Sequence, residues 1–215
     1  MIKSIFIVIV LIGSSTLYAE FHYSISSIDR HIKDRMIKGG SWHKGCPVSL
    51  RDLRYIHITY RDFKGVDRTG ELIMHREVAK DIARIFRRLY EIGYPVRQMR
   101  LVSDFGGNDW RSIEADNTSA FNCRKATGNK QWSKHAYGRA IDLNPIENPY
   151  ISRSGHIAHK ASLKYRRRVH RGRSTPSDKA LLVESDRAVE IFKGYGWKWG
   201  GNWSGTKDYQ HFFKP

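Results

Sequence analysis

Two short segments, far apart in the sequence, carry the side chains that most restrict how this chain can fold. In the first, residues 133–145, His135 and Asp142 are seven residues apart; in the second, Asp208 and His211 are three apart. Together they offer two imidazoles and two carboxylates, enough for a divalent metal ion with a base beside it. If both segments build one site, the fold must bring the end of the chain against its middle.

The residue types favour a hydrolytic zinc site. Zinc in hydrolases takes three protein ligands from His, Asp and Glu and keeps one position for water. His135, Asp142 and His211 supply two neutral nitrogens and one carboxylate oxygen, which leaves a net charge of about +1 that acidifies the bound water. Asp208 is then the predicted catalytic base, taking a proton from the attacking water and passing it to the departing amine.

The local pattern predicts how these side chains are presented. Residues 138–144 alternate as a strand, with Asp142 on the face opposite Leu143. At most one of these two residues is therefore expected in the core. Asp208 and His211 have opposite parity and would point to opposite faces of a regular strand. Asp208 is therefore expected in a turn or bulge just before a last strand at 209–213, where nearby glycines make a turn plausible.

The other periodic segments indicate an α+β domain: a small antiparallel sheet that carries the zinc site, with helices packed on it. Predicted strands cover 53–60 and 97–103, and predicted helices cover 75–92 and 185–193. Residues 20–41 show no dominant period and are expected to form a lead-in on the domain surface. The peptidase domain itself is predicted to span 42–215.

The N-terminus has the pattern of a secretory signal peptide. Lys3 precedes a nine-residue apolar run, and Ala19 ends a plausible cleavage region. The run is shorter than the roughly 20 residues of a membrane-spanning helix, although an uncleaved N-terminal anchor remains the alternative. We therefore expect residues 1–19 to be removed, with the mature chain periplasmic or extracellular and without stable membrane insertion.

The chain is strongly basic, with a formal net charge of +17 and a pI near 10. Removal of residues 1–19 takes away one Lys and no acid, which leaves +16. Such a charge favours an anionic partner, and export makes the cell envelope the expected one rather than nucleic acid. Residues 153–179 contain nine Lys or Arg and one acid, so this segment is either a solvated loop or a specific anion-binding site.

Cys46 and Cys123 are the two cysteines of the chain. In an oxidising compartment they can form one disulfide that closes a long loop and contributes about 4 kcal/mol. Two free buried thiols are the alternative. The absence of a CxxC spacing argues against a thiolate zinc site.

Motifs extending beyond the four site residues resemble the zinc D-alanyl-D-alanine carboxypeptidase superfamily, which includes vancomycin-resistance-type carboxypeptidases and phage L-alanyl-D-glutamate endolysins. The resemblance rests on Ser133-x-His135-x-x-Gly138-x-Ala140-x-Asp142, Trp197-x-Trp199-Gly200-Gly201 and Asp208-x-x-His211-Phe212. It also includes residues 45–48, 118–124 and 135–150, which resemble the secreted and endolysin-like branch.

The resemblance implies zinc ligands His135, Asp142 and His211, with Asp208 as base. It also implies a polar or basic side chain that polarises the scissile carbonyl. We assign this role to Arg124, with Arg111 as the competitor, because the Tyr-Arg-Gly-like segment of many relatives is Phe105-Gly106-Gly107 here. By the same resemblance, substrate contacts are expected from Ser119, Tyr137 and Trp199.

The expected function is hydrolysis of an amide bond in peptidoglycan stem peptides, with one Zn²⁺, as a D-alanyl-D-alanine carboxypeptidase. An L-alanyl-D-glutamate endopeptidase is the alternative within the class. A catalytically silent wall-binding zinc domain is the alternative outside it, and the presence of Asp208 argues against that reading. A basic nucleic-acid binder would require a cytoplasmic protein without zinc dependence.

Overall fold

The computed structural model describes residues 20–215, and the predicted signal peptide at 1–19 lies outside them. The α-helices are α1 (Arg30–Lys38), α2 (Ala79–Glu91), α3 (Asp109–Glu114), α4 (Pro176–Ala180) and α5 (Arg187–Gly194). The strands are β1 (Tyr23–Ser27), β2 (Leu53–Arg61), β3 (Asp67–His75), β4 (Gln98–Met99), β5 (Asn117–Thr118), β6 (Ala140–Asp142), β7 (Tyr150–Ile151), β8 (Lys198–Trp199), β9 (Lys207–Asp208) and β10 (His211–Phe213). Short 3-10 helices occupy Leu50–Asp52, Val102–Phe105, Lys134–Tyr137, Lys160–Tyr165 and Gly200–Asn202.

The strands form several small sheets rather than one. Two are three-stranded and antiparallel, with the orders β1-β2-β3 and β6-β10-β8. Strands β7 and β9 form an antiparallel pair, whereas β4 and β5 form a parallel one. The predicted α+β class is confirmed, and the sheet β6-β10-β8 contains two of the predicted metal ligands.

The β2–β3 hairpin, which confirms the predicted strand at 53–60, is closed by a turn that the sequence specifies locally. The carboxylate of Asp62 accepts hydrogen bonds from the backbone N–H groups of Lys64 and Val66, at 2.8 and 2.9 Å. Gly65 adopts a φ of 77°, a conformation that glycine tolerates best. The Asp62 side chain therefore fixes the turn that sets the hairpin register.

Helix α2 packs its apolar face on this hairpin and confirms the amphipathic helix predicted between 75 and 92. Its residues Ile82, Ile85, Phe86 and Leu89 are buried, and Gly93, at a φ of 67°, follows its end. The same core includes the buried residues of β6, β10 and α5. The large hydrophobic core thus joins the hairpin to the sheet that carries the ligands.

A second hydrophobic cluster surrounds the disulfide between Cys46 and Cys123. Their sulfur atoms are bonded and their Cα atoms lie 5.8 Å apart, which confirms the disulfide alternative. Ile32 and Met36 of α1 are buried in this cluster together with Phe121. The bridge therefore fixes the segment after β5, which leads to the site, against the N-terminal part of the domain.

Residues 20–41 do not form the irregular lead-in that the sequence predicted. Strand β1 pairs with β2 along its whole length, and α1 begins at the N-cap Asp29, whose carboxylate accepts from the N–H of Ile32 at 2.8 Å. Hydrophobic periodicity does not reveal these two elements, because β1 is an exposed edge strand and α1 buries two residues, Ile32 and Met36. Too few apolar positions were present to produce a visible period.

The strand predicted at 97–103 is reduced to β4. The side chain of Asn117 accepts from the N–H of Arg100 at 2.9 Å and donates to its carbonyl at 3.0 Å. An amide side chain therefore takes the place that a neighbouring strand would occupy, and the chain turns into the 3-10 helix at Val102–Phe105. Side-chain pairing of this kind is not visible in hydrophobic periodicity.

The strands at the site are also shorter than predicted: 138–144 is reduced to β6, and 209–213 to β10. The prediction that Asp142 and Leu143 would not both be buried is wrong, since they are 4% and 0% exposed. Leu143 belongs to the hydrophobic core, whereas Asp142 faces a buried polar site. Alternation distinguishes the two faces of a strand, but here both faces are covered.

The basic segment 153–179 is more ordered than the solvated loop that was one interpretation of its composition. It contains the 3-10 helix Lys160–Tyr165 and the start of α4. The guanidinium of Arg168 is partly buried and donates to the carbonyls of Glu147 and Leu182, at 2.6 and 2.7 Å. Burial lowers the pKa of Arg168 to about 10. One of the nine cations is therefore a structural cross-link.

The helix predicted at 185–193 is α5, with Ala188, Val189 and Phe192 buried as expected. Within residues 20–215, no helix combines the length and apolarity needed to cross a membrane.

Candidate metal centre and catalytic cleft

His135 lies on a single turn of 3-10 helix whose two ends are specified by the sequence. At its start, the hydroxyl of Ser133 accepts from the N–H of His135 at 3.3 Å. At its end, Gly138 has a φ of 65°, and a Cβ there would lie 2.7 Å from the backbone nitrogen of His75. This turn is therefore pressed directly against β3, and glycine permits the approach.

The ring of His135 is oriented by the backbone. Its Nδ1 lies 2.5 Å from the carbonyl oxygen of Ala120, which can only accept a hydrogen bond. Nδ1 is thus the protonated nitrogen of the neutral ring, and Nε2 is left with a lone pair. Carbonyl groups commonly orient metal-binding histidines in this way.

Asp142 and His211 are neighbours across two antiparallel strands, since β6 and β10 pair them directly. On the other side of Asp142, its N–H and carbonyl are hydrogen bonded to the backbone of Ser119, at 2.8 and 3.0 Å. Asp142 itself is therefore held by main-chain bonds to Ser119. The bond towards β10 comes from the next residue, because the N–H of Leu143 donates to the Gln210 carbonyl at 3.0 Å. The backbone on both sides of Asp142 is thus paired.

The three predicted ligands meet at one point. The Nε2 of His135 lies 3.1 Å from the Nδ1 of His211 and 3.2 Å from the Oδ1 of Asp142. The third side of this triangle, from His211 Nδ1 to Asp142 Oδ1, measures 2.9 Å. Ligands 2.0–2.1 Å from a tetrahedral zinc ion are about 3.3 Å from one another. The arrangement and donor types therefore fit a small divalent cation such as Zn²⁺.

The protonation of this cluster also favours a cation. Burial alone would raise the pKa of Asp142, but the two adjacent histidines outweigh it and hold that pKa well below its usual range. Burial alone would lower the pKa of His135, but the Asp142 carboxylate outweighs it and raises that pKa. The Asp142 carboxylate thus stabilises positive charge at this cluster, either as a proton on His135 or as a metal ion that takes the place of that proton.

Asp208 lies beside the triangle, at the end of β9, and Tyr209 and Gln210 separate it from β10. Asp208 was expected in a turn or bulge, but it is the last residue of strand β9. The parity conflict is resolved because Asp208 and His211 belong to different strands, with the turn at Tyr209 and Gln210 between them. The backbone passes close to Gly200, where a Cβ would lie 2.5 Å from the Asp208 carbonyl oxygen. A glycine at position 200 is what permits this path.

The carboxyl group of Asp208 has the properties of a proton acceptor near neutral pH. Its Oδ1 is buried and has no hydrogen-bond partner within the described chain. Burial raises the pKa of Asp208 to about 6, and the negative charge of Asp142 adds to this, while His211 and His135 oppose it. A carboxyl group of this kind can take up and release a proton during a reaction cycle.

A cavity of about 760 Å³ opens over these groups. Besides the four site residues it is lined by Arg124, by several aromatic residues and by other residues of the segment 145–159. The aromatic residues are Trp110, Trp132, Tyr150, Trp203 and Phe213. A cleft of this size and mixed character is typical of substrate-binding sites.

The two arginines considered for carbonyl polarisation differ in their position relative to the cavity. Arg124 lines the cavity, and its Nη2 lies 2.9 Å from the Oδ2 of Asp109, which lines the cavity as well. The Nε of Arg124 is buried without a partner in the described chain. Arg111 does not line the cavity. Its backbone N–H is bonded to the N-cap Asn108 of α3.

The three predicted substrate contacts are not in the cavity wall. Ser119 lies behind Asp142 and supports it through the backbone, and Tyr137 is 37% exposed outside the lining. Trp199 is buried in the core, stacked on Phe212. The lining instead contains Trp110 and Trp132, which the motifs did not include. Trp110 is 52% exposed, an unusual state that only the tertiary structure reveals.

The comparisons with known proteins agree with this site. Residues 127–214 match the family model described as D-alanyl-D-alanine carboxypeptidase, which supports the zinc peptidase superfamily that the motifs resemble. The matched segment includes the three candidate ligands and Asp208 but begins after Arg124. No curated protein and no solved structure is significantly similar to the chain.

Proposed function

We propose that this protein is a zinc-dependent peptidase of peptidoglycan stem peptides. The premise is the match of residues 127–214 to the family model described as D-alanyl-D-alanine carboxypeptidase. Its proposed reaction is hydrolysis of the terminal D-Ala-D-Ala amide. The observation that carries the proposal is the buried triangle of His135, Asp142 and His211, with the unpartnered carboxyl oxygen of Asp208 beside it. A purely structural zinc site would not need that carboxyl group.

In this proposal one Zn²⁺ is held by His135 Nε2, His211 Nδ1 and Asp142 Oδ1, and when bound it supplies Lewis acidity and lowers the pKa of water. Asp208 accepts the proton of the attacking water and returns it to the departing amine nitrogen. The Arg124 guanidinium, oriented by Asp109, hydrogen bonds to the scissile carbonyl oxygen and stabilises the charge that develops there. The aromatic lining excludes water around these charges, which strengthens both interactions.

An L-alanyl-D-glutamate endopeptidase is a second candidate, favoured by the size of the cavity. At about 760 Å³, it lies in the upper part of the range of about 300–1,000 Å³ for ligand sites. A terminal D-Ala-D-Ala unit would fill only part of it. The remaining space could hold residues on both sides of an internal bond.

The proposed location is the bacterial envelope. The disulfide agrees with an oxidising compartment, and the basic surface would keep the enzyme on an anionic envelope rather than on nucleic acid. The fractionation of the native protein, with determination of its mature N-terminus, tests this part. Recovery of the protein solely in the cytoplasm would contradict it.

The activity is tested by digesting purified muropeptides with the zinc-loaded protein and identifying the products by mass. Release of free D-alanine alone supports the carboxypeptidase, whereas cleavage between L-Ala and D-Glu identifies the endopeptidase. Asp208→Asn is the informative variant because it is nearly isosteric. We expect it to bind zinc and to lose hydrolysis, whereas His135→Ala loses both. Full activity in Asp208→Asn would contradict the proposed role of Asp208 as the base.

A further inference from the structure

A second cavity, of about 440 Å³, shares no lining residue with the catalytic cleft. It lies between the end of α2, the start of α5 and the basic segment 153–179. Its lining consists of Arg61, Ile92, Gly93, Tyr94, Arg173, Lys179, Asp186, Arg187 and Ala188. Four of these side chains are cationic and one is acidic, so the cavity concentrates positive charge.

The single carboxylate does not neutralise this charge, because it is already engaged. Asp186 lies 2.9 Å from the Nε2 of His170 and is also paired with Arg173. Its other oxygen accepts from the N–H of Val183 at 2.7 Å. Arg61 is likewise paired, at 3.2 Å, with Asp67 outside the cavity.

Lys179 and Arg187 are different, since neither has an ion-pair partner within residues 20–215. Both residues are exposed, so their charges are accessible to an approaching anion. An anion bound in the cavity would meet two positive charges that no carboxylate of the described residues neutralises. No described carboxylate is available to serve as this anion.

Backbone N–H groups at the start of α5 add hydrogen-bond donors to the same cavity. Asp186 is the N-cap of α5, but its side chain makes no capping hydrogen bond to the helix. The N–H groups of residues 187–189 therefore lack acceptors in the described chain, as the first turn of a helix does without a side-chain cap. Two of these residues line the cavity. The helix dipole thus reinforces the side-chain charges.

The basic segment is held in position for this role. The carboxylate of Asp178 accepts from the N–H of Arg171 at 2.8 Å and from that of Arg173 at 2.6 Å. Arg173 takes a φ of 53°, which is uncommon outside glycine, and the hydrogen bonds to Asp178 maintain it. The backbone on this side of the cavity is therefore held by hydrogen bonds to the Asp178 carboxylate.

We propose that this cavity binds a phosphate group of an envelope component, apart from the catalytic cleft. Guanidinium groups and helix N-termini are the donors best matched to phosphate oxygens, and the volume exceeds that of a free ion. The shared chemistry is a phosphate ester. It could be supplied by a phosphodiester wall polymer or by a phospholipid head group.

The test measures binding of the zinc-loaded protein to poly(glycerol phosphate) and to phosphatidylglycerol vesicles, with phosphatidylcholine vesicles and polyglutamate as controls. The informative variant is Lys179→Gln/Arg187→Gln. A matched variant, Lys160→Gln/Arg167→Gln, removes the same charge from the same region without altering the cavity lining. We expect the first to lose affinity at least about tenfold and the second less than about threefold.

Binding to the polymer alone would identify a wall phosphodiester as the ligand, and binding to the vesicles alone a lipid head group; both support the site. Equal losses in the two double variants, equal affinity for polyglutamate, or no saturable binding would overturn it. Muropeptide hydrolysis should be unchanged in Lys179→Gln/Arg187→Gln. Failure of the wild-type protein to hydrolyse any muropeptide would count against the proposed peptidase and not against the phosphate site.

Discussion

The Nη2 of Arg124 lies 2.9 Å from the Oδ2 of Asp109, and both residues line the cavity over the candidate metal site. Arg124 comes directly after the disulfide-bonded Cys123, while Asp109 is the first residue of α3. One cleft thus contains a cation fixed at its backbone by a disulfide and at its head group by a carboxylate. Such a group is preorganised for an oxygen that becomes negative.

We expect Arg124→Ala to lower kcat/KM about 100-fold or more, because one donor to the developing oxyanion is lost. Asp109→Asn should lower it about tenfold, since Arg124 remains but is less well oriented. Steady-state kinetics on a stem pentapeptide would measure both effects. Arg111→Ala is the matched control, and a larger loss there than in Arg124→Ala would contradict the assignment.

Removal of the metal should destabilise the native protein, because the ligands bind zinc in the folded state only. At a free zinc concentration 100 times the dissociation constant, the stabilisation is about 2.7 kcal/mol. Thermal unfolding with zinc and with a chelator would show it as a higher Tm with the metal. His135→Ala should show no such difference, and a zinc-dependent shift of normal size in that variant would argue against the triangle as the metal site.

Reduction of the disulfide should affect stability and catalysis together. The bridge closes a loop of 77 residues, which corresponds to a contribution of about 4.5 kcal/mol in the chain-entropy treatment. Cys46→Ser/Cys123→Ser should therefore unfold at a lower denaturant concentration. It should also have a lower kcat than the wild-type protein under conditions where both are folded, because Arg124 loses its anchor. A variant with reduced stability and unchanged kcat would show that the anchor is dispensable.

The buried carboxyl of Glu147 should make stability decrease as the pH rises. Burial raises the pKa of Glu147 to about 8, and the neighbouring Asp116 adds to the effect. The unfolded chain releases this proton near its ordinary pKa of about 4.3, so the folded state binds more protons between that pH and about 8. Stability is therefore highest at the acidic end of this window and is lost towards its alkaline end.

Glu147→Gln should remove this dependence, because the amide does not titrate. Denaturant unfolding at pH 5 and at pH 8 would show a smaller difference in the variant than in the wild-type protein. Glu190→Gln, on the exposed face of α5, is the control. An identical pH dependence in all three proteins would contradict the prediction.

The four residues of the candidate site were predicted because the motifs around them resemble a zinc peptidase superfamily and because zinc hydrolysis restricts the residue types. His135 and Asp142 are seven apart with Gly138 between them, and this glycine is required by the close contact with β3. The turn before His211 was also predictable, since Asp208 and His211 cannot share a face of one strand. The turn follows from local geometry, whereas the resemblance is what distinguishes the four site residues from the other His and acidic pairs of the chain.

The walls of the cleft were not predictable in the same way. Trp199 and Trp203 are similar in sequence context, yet the first is buried in the core and the second lines the cavity. Trp110 and Asp109 come from α3, a short helix whose position depends on packing against the segment after β4. Which aromatic side chain borders a cleft is decided by tertiary packing, to which periodicity is insensitive.

The direct pairing of Asp142 with His211 across β6 and β10 determines when the candidate site can be assembled during folding. These residues are 69 positions apart in sequence, and the base at position 208 also lies near the end of the chain. A nascent chain that stops short of residue 208 holds two of the three candidate ligands and no base. The candidate site would thus be completed in a single step, when β9 and β10 dock against β7 and β6, so that a partly folded chain without these strands would hold neither the full ligand set nor the base.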